Sequence, residues 1–310
     1  MNSILIHPII KNSSTNNENT TDTNEFVGLV KALQDIKVCD LKEIKIKNII
    51  SSTFLGQGKI DEIKEICKLK KVKLSLFNCI LSPIQQRNLE NKLNTKVLDR
   101  QGLILEIFGD RAITKEGVLQ VELAHLKYQK SRLVRSWTHL ERQKGGIGFL
   151  GGPGEKQIES DRRQISSKIQ QINKKLKKVI KTRNIQRLAR VNKNFITISI
   201  VGYTNSGKSS LFNKLTKSSV LEKDMLFSTL DTKMKKINYN GNQNIILSDT
   251  VGFISNLPLE LISAFKATLE EIIFSDIILH VTDISNPNHK AHYENVNKIL
   301  YDIDEKIVSQ

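Results

Sequence analysis

The sequence lacks any apolar run long enough to cross a bilayer; its longest, such as Ile277–Val281, fall far short of the ~20 residues that a spanning helix needs. Met1–Lys11 has neither a basic lead-in nor a small-residue cleavage site, which argues against a secretory signal. Cysteine is scarce. Cys39, Cys67 and Cys79 are odd in number and have no metal-like spacing, so they read as reduced thiols of a cytoplasmic protein. Hydrophobic content, at 39%, is somewhat low, while the 26% of charged residues is ordinary. A chain of 310 residues can still form two or three domains, each with its own core.

Acidic charge is scarce in one region above all. The net charge is +16, and residues 111–193 carry nearly all of it. Within Lys156–Lys193 there are 13 basic and 2 acidic residues. So concentrated a basic element points to a polyanion, and in a cytoplasmic protein to nucleic acid first. The alternative is a solvated, lysine-rich helical face, although such faces usually mix signs.

The periodicities divide the chain into three. Residues 1–110 read as an α/β domain, with short apolar stretches (Ser3–Ile10, Val72–Phe77, Leu103–Phe108) alternating with amphipathic segments such as Lys59–Lys70 and Pro83–Leu93. The polar tract Lys11–Asn24 reads as a loop or linker. In residues 111–193, Leu119, Leu126, Leu133 and Leu140 recur every seven residues, with Leu123 and Trp137 widening the stripe. Ile158, Ile165, Ile169, Ile172, Leu176 and Ile180 follow at helical spacing. Two helices with such narrow stripes should pair as an antiparallel coiled-coil hairpin. The turn between them, 145–154, holds six glycines in ten residues: Gly145, Gly146, Gly148, Gly151, Gly152 and Gly154. It could be a plain connector, but a helical-hairpin turn needs only two to five residues. A glycine-rich tip on a basic stem suits close approach to RNA backbone.

Residues 194–310 carry the most specific motif. Phe195–Val201 is a β-branched strand sequence, and Lys208–Leu215 reads as a helix. Between them, Gly202-Tyr203-Thr204-Asn205-Ser206-Gly207-Lys208-Ser209 matches a phosphate-binding loop in its proper strand–loop–helix setting. Lys208 is expected to reach the β- and γ-phosphates, and the Ser209 hydroxyl to ligate Mg²⁺. Met234–Tyr239 and Asn244–Ser248 flank Asn240-Gly241, a two-residue hairpin signal. The second strand ends in Asp249-Thr250-Val251-Gly252, a DxxG element: the carboxylate is expected behind the Mg²⁺ ligands and the Gly252 amide at the γ-phosphate. Phe227-Ser228-Thr229-Leu230-Asp231 lies between, with Thr229 as the candidate switch threonine that completes Mg²⁺ coordination.

Taken together these runs resemble the HflX GTPases of the Obg–HflX group. The resemblance is carried by Leu81–Glu90 (LSPIQQRNLE), Val97–Arg100, Gly117–Leu126 (GVLQVELAHL), Trp137–Gly148 (WTHLERQKGGIG), Gly152–Glu155 and Asp161–Arg163. In the last third it is carried by the runs GYTNSGKSSLFNKLT from Gly202 and DTVGFISNLP from Asp249. It implies an N-terminal α/β domain, a helical hairpin and a Ras-like GTPase domain. It also implies a monomer that binds the large ribosomal subunit and its rRNA and rescues or splits stalled ribosomes. Hydrolysis in such proteins is weak until the ribosome stimulates it, and some accept ATP as well as GTP.

Phe253 stands where many GTPases place a glutamine that orients water, so unaided hydrolysis should be slow. Asn205 resembles the asparagine of potassium-stimulated GTPases, which suggests K⁺ at the phosphates; the alternative is a residue merely tolerated in the loop. The guanine-reading NKxD element is missing. Asn297-Lys298-Ile299-Leu300 has Leu300 in place of the aspartate and reads as part of a helix. The chain is therefore expected to be a truncated or split product, or one completed by a partner, with an apolar fourth strand (Ile277–Asp283) unpaired at the sheet edge. Two other functions stay open: a non-catalytic RNA-binding remnant, and an ATP-accepting RNA-remodelling enzyme.

Overall fold

A computed structural model describes residues 1–10, 23–143, 153–192, 194–217, 226–227, 229–239, 242–255 and 266–304. Its contacts divide into two compact units, Met1–Glu106 with His125–Gln171, and Ile107–Ala124 with Ile172–Gln310.

The first unit is built on an all-parallel sheet of β1 (Asn2–Ile10), β2 (Lys37–Ile46), β3 (Leu74–Phe77) and β4 (Lys96–Asp99) in the order β2-β1-β3-β4. Successive residues Ile4, Leu5 and Ile6 are all buried, as expected of a central strand covered on both faces. Helices α1 (Thr23–Lys31), α2 (Gln57–Leu69), α3 (Pro83–Leu93) and α4 (Arg100–Arg111) supply the cover. The α2 helix buries Ile60, Ile63 and Cys67, one stripe at helical spacing. A capping box starts α3: Ser82 Oγ accepts from Gln85 N–H, and Gln85 Oε1 accepts from Ser82 N–H.

Leu103–Phe108 is not one of the alternating short strands but the middle of α4. A short apolar run cannot be told from a fully buried helix by periodicity. Here Leu103, Ile104, Leu105, Ile107 and Phe108 are all buried, and Asp99 accepts from the Gly102 amide to start the helix. The strand before it is Lys96–Asp99, and the long strand Lys37–Ile46, dense in lysine and acid, has no apolar run to announce it.

Two long helices follow, α5 (Lys115–Gln143) and α6 (Pro153–Val191). They run antiparallel, Glu116 near the start of α5 pairing with Arg183 near the end of α6. Leu119, Leu126, Ile172 and Leu176 of the expected stripes are buried. Lys168, Lys174, Lys175, Lys177, Lys178 and Lys181 are exposed. The side chains of Trp137, Leu140 and Ile158 lie outside the described residues.

The second unit holds β5 (Ile196–Gly202), α7 (Lys208–Thr216), β6 (Lys233–Tyr239), β7 (Asn242–Asp249), α8 (Lys266–Ile273), β8 (Ile277–Val281) and α9 (His289–Ile303). The sheet order is β6-β7-β5-β8, with β6 antiparallel and the rest parallel. Ile200, Leu247 and Phe212 form the core that joins β5 and β7 to α7. The β6–β7 pairing is the one expected around Asn240-Gly241, although those two residues lie outside the described set. Among the described residues β8 pairs only with β5, and Ile277 and Leu279 are 47% and 36% exposed. The α9 helix contains Asn297–Leu300. Leu300 is buried and Asn297 hydrogen-bonds His280.

Candidate functional site

The buried strand β5 delivers the chain into the glycine loop, and Gly207, at φ +88°, caps α7. As the N-cap, Gly207 brings no side chain to the first amides of α7. Such a helix start, with its dipole, suits an anion. Two backbone bonds pin the loop from the DxxG side: Phe253 N donates to Gly202 O at 3.1 Å, and Thr204 N to Phe253 O at 2.7 Å. The Phe253 ring is 2% exposed. That position is a core plug and a backbone latch, a role its sequence neighbours gave no sign of.

Below the loop three oxygens converge. Ser209 Oγ donates to Asp249 Oδ2 at 2.8 Å, Thr229 Oγ1 donates to the same oxygen at 3.0 Å, and the two hydroxyls are 2.9 Å apart. Asp249 is fully buried, and its other oxygen, Oδ1, has no hydrogen-bond partner among the described residues. Thr204 Oγ1 and Ser206 Oγ, in the loop itself, are buried and likewise without one among the described residues. Lys208 is 6% exposed, and its ammonium donates to Tyr203 O at 2.6 Å. A Cβ on Gly252 would lie 3.0 Å from Lys208 Nζ and 2.8 Å from Thr204 Cα, so only glycine lets DxxG close on the loop.

Burial works against both charges. It pushes the Asp249 carboxyl above its usual range, although Ser209, Lys208 and Thr229 all favour the carboxylate. It lowers Lys208 to about 8, against the pull of Asp249. One cation facing one anion through hydroxyls does not satisfy either group. A phosphate chain beside Lys208 and a divalent cation beside Asp249 would. The donor set of two hydroxyls and one carboxylate, with one carboxylate oxygen orphaned, fits a hard cation such as Mg²⁺. Among the described residues no three His, Cys, Asp or Glu side chains gather at one point.

The structure thus brings together Thr204, Ser206, Gly207, Lys208, Ser209, Thr229, Asp249 and Gly252. Several other expected residues engage their side chains elsewhere. The Thr250 hydroxyl donates to Ile200 O within the core, and Val251 and Leu230 are buried. Tyr203 stacks on His292 of α9 at 3.7 Å and accepts from the Ser255 amide. Asn205 is exposed with φ +59°, a conformation asparagine tolerates. Phe227 packs on Phe108 rather than at the phosphate site, and the Asp231 carboxylate points to the start of α5. Ser228 lies outside the described residues, as do Gly145, Gly146, Gly148, Gly151 and Gly152 of the tip. Gly154 falls within the first turn of α6.

Three family profiles match consecutive stretches: "GTP-binding GTPase N-terminal" over residues 20–109, "GTP-binding GTPase Middle Region" over 111–190, and "50S ribosome-binding GTPase" over 197–309. A GTPase HflX of Magnetococcus marinus is 51% identical over 261 residues, 84% of this chain and 60% of the relative. That of Escherichia coli is 48% identical over 251 residues, 81% of this chain and 59% of the relative. That of Caldanaerobacter subterraneus is 41% identical over 291 residues, 94% of this chain and 67% of the relative. Among solved structures, a GTP-binding protein of Sulfolobus solfataricus in complex with GDP is 26% identical with a TM-score of 0.52, covering 99% of this chain and 78% of that one. The chain spans about 60% of the length of the first two of these curated relatives. On its glycine loop, its DxxG latch and these matches, the chain belongs to the HflX family of GTPases.

Proposed function

We propose that this chain binds a GTP–Mg²⁺ complex in the cradle, hydrolyses it slowly, and acts in the cytoplasm on the large ribosomal subunit to rescue or split stalled ribosomes. The observation that carries the nucleotide reading is the convergence of Ser209, Thr229 and Asp249 beneath a buried Lys208. The amides of the glycine loop and the Thr204 and Ser206 hydroxyls donate to phosphate oxygens, and Lys208 supplies the charge between them. Ser209 and Thr229 would hold Mg²⁺, with Asp249 behind them accepting hydrogen bonds. When bound, Mg²⁺ neutralises charge on the outer phosphates. The buried Phe253 ring cannot orient a water, so a group from the ribosome must, and turnover without it is slow. K⁺ beside Asn205 is a second proposed cation. Equal turnover in Na⁺ and K⁺ buffers with ribosomes present would remove it.

The ribosomal part rests on the family and on the exposed lysines of α6, which present one sign of charge to a phosphate backbone. Titration with labelled GTP and ATP, with and without Mg²⁺, tests the nucleotide reading. Wild-type chain should bind in Mg²⁺, and Lys208→Ala should lose a hundredfold or more of that affinity, since a phosphate would lose its buried cation. Unchanged binding in Lys208→Ala would remove the cradle as the site. Sedimentation with large subunits, with and without residues 145–154, tests the tip.

A further inference from the structure

Asp231 and Phe227 lie two residues to either side of Thr229, and neither is spent on the cradle. Asp231 Oδ2 accepts from the amides of Ile113 at 2.8 Å and Thr114 at 2.7 Å, and Oδ1 accepts from the Thr114 hydroxyl. Thr114 caps α5: its Oγ1 accepts from Gly117 N at 3.0 Å, and its carbonyl from Val118 N at 2.9 Å. The first turn of α5 lies directly on the carboxylate, for a Cβ on Gly117 would stand 2.3 Å from Asp231 Oδ1. On the other side of Thr229, Phe227 is 2% exposed and meets Phe108 of α4 edge-to-face at 4.8 Å. It does so at φ +57°, which a bulky residue adopts only when packing holds it there.

We propose that Asp231 and Phe227 are positioning residues that tie the cation ligand Thr229 to the α4–α5 joint, so that the cap of α5 and the seat of Thr229 are made and lost together. Two residues of extended chain span at most about 7 Å. Thr229 therefore cannot leave Ser209 and Asp249 by much without pulling on the Phe108 contact or the Thr114 cap. Linkage then runs both ways: whatever holds Thr229 at the cation tightens the first turn of α5, and whatever loosens that turn weakens the hold on the cation. The same turn carries Glu116, which pairs with Arg183 of α6 at 3.2 Å. Arg183 lies 3.7 Å from Glu271 of α8, which also pairs with Arg190 at 3.0 Å. The capped turn thus stands between the cation ligand and the base of the basic hairpin. This inference rests on the Mg²⁺–triphosphate reading of the cradle, in which the segment bearing Thr229 is ordered by the outer phosphate and its cation.

The test is hydrogen exchange on the full chain without nucleotide, with Mg²⁺–GDP, and with Mg²⁺ and a non-hydrolysable GTP analogue. The analogue should slow exchange of the amides of Ile113, Thr114, Gly117 and Val118 tenfold or more relative to the nucleotide-free protein, alongside protection of Gly202–Ser209. In Asp231→Ala the glycine loop should still be protected, while the response at the α5 turn disappears. That variant should also bind the triphosphate analogue several-fold more weakly than wild type and GDP about equally. Protection of the glycine loop in wild type with no change at 113–118 would overturn the coupling and leave the nucleotide site standing. An α5 response in Asp231→Ala equal to wild type would overturn it too. Protection at neither place would remove the nucleotide site, and this inference with it. The wild-type comparison needs no variant, so it decides the question even if Asp231→Ala folds poorly.

Discussion

Asp99 in the first unit and Asp249 in the second are both fully buried at the carboxyl end of a parallel strand, and each has a basic residue close by. Asp99 accepts four hydrogen bonds, from Leu81 N, Gly102 N, Tyr128 Oη and Arg132 Nη2. Next to it His7, Asn78, Arg100 and Glu25 form a continuous buried chain, imidazole to amide to guanidinium to carboxylate. Asp249 has two hydroxyls on one oxygen and nothing on the other, beneath a loop with two more orphan hydroxyls and a lysine that burial has pulled down to about 8. A carboxylate with both oxygens bonded specifies structure, whereas one of the same placement with an oxygen left over keeps it for a ligand. The carboxylate with an oxygen left over is the one at the proposed cradle.

The contrast can be broken most forcefully at Asp99. Asp99→Ala removes the acceptor of the Arg132 guanidinium and of three other donors, and should cost about 3–5 kcal/mol in urea unfolding. The variant that remains folded should bind nucleotide as wild type does; a Kd that changes with the mutation would mean the two clusters are not independent. Asp249→Asn should reverse the pattern, losing tenfold to a hundredfold of Mg²⁺-dependent nucleotide affinity. Its stability in the absence of nucleotide should not fall, since burial already disfavours the Asp249 charge. Marked destabilisation would show that the cluster is structural after all.

A smaller effect follows from pH. Phosphate beside Lys208 requires the ammonium, whose pKa burial lowers to about 8 from an ordinary 10.5. Nucleotide affinity should be flat below that value and fall up to about tenfold per unit above it, since binding must then take up a proton. The contribution of Lys208 to stability has the opposite sign. Its folded-state pKa is depressed, so the folded chain binds fewer protons than the unfolded one, and stability rises between about 8 and 10.5. Affinity and stability measured across that window should diverge; parallel curves would place the ammonium elsewhere. The smallest expected change is Ser82→Ala, which removes the cap of α3 and should cost about 1 kcal/mol with nucleotide binding untouched.

Several parts of this protein were legible early because their signals are local. The strand–loop–helix around Lys208, the DxxG run and the antiparallel partner strands depend on short spacings, and the structure draws them together within 3.0 Å at Asp249. The helical stripes of α5 and α6 were equally local. Other parts failed for a physical reason. Leu103–Phe108 is apolar on all sides because α4 is buried on all sides, which erases the period that would distinguish helix from strand. Phe227 and Asp231 sit in a stretch that reads as nucleotide contact, but their partners, Phe108 and Thr114, are more than a hundred residues away. No spacing rule reports such contacts.

The sequence by itself determined the family, the glycine loop and DxxG run proposed to hold phosphate, and the concentration of positive charge in one helical segment, since each is written in consecutive residues or simple periods. Only the tertiary structure decided which buried carboxylate is complete and which is left wanting, that Phe253 is a plug and latch, and that Asp231 holds the capping residue of a distant helix. Those properties depend on which groups from remote segments come within hydrogen-bonding distance. Burial then sets how costly each unmet group is.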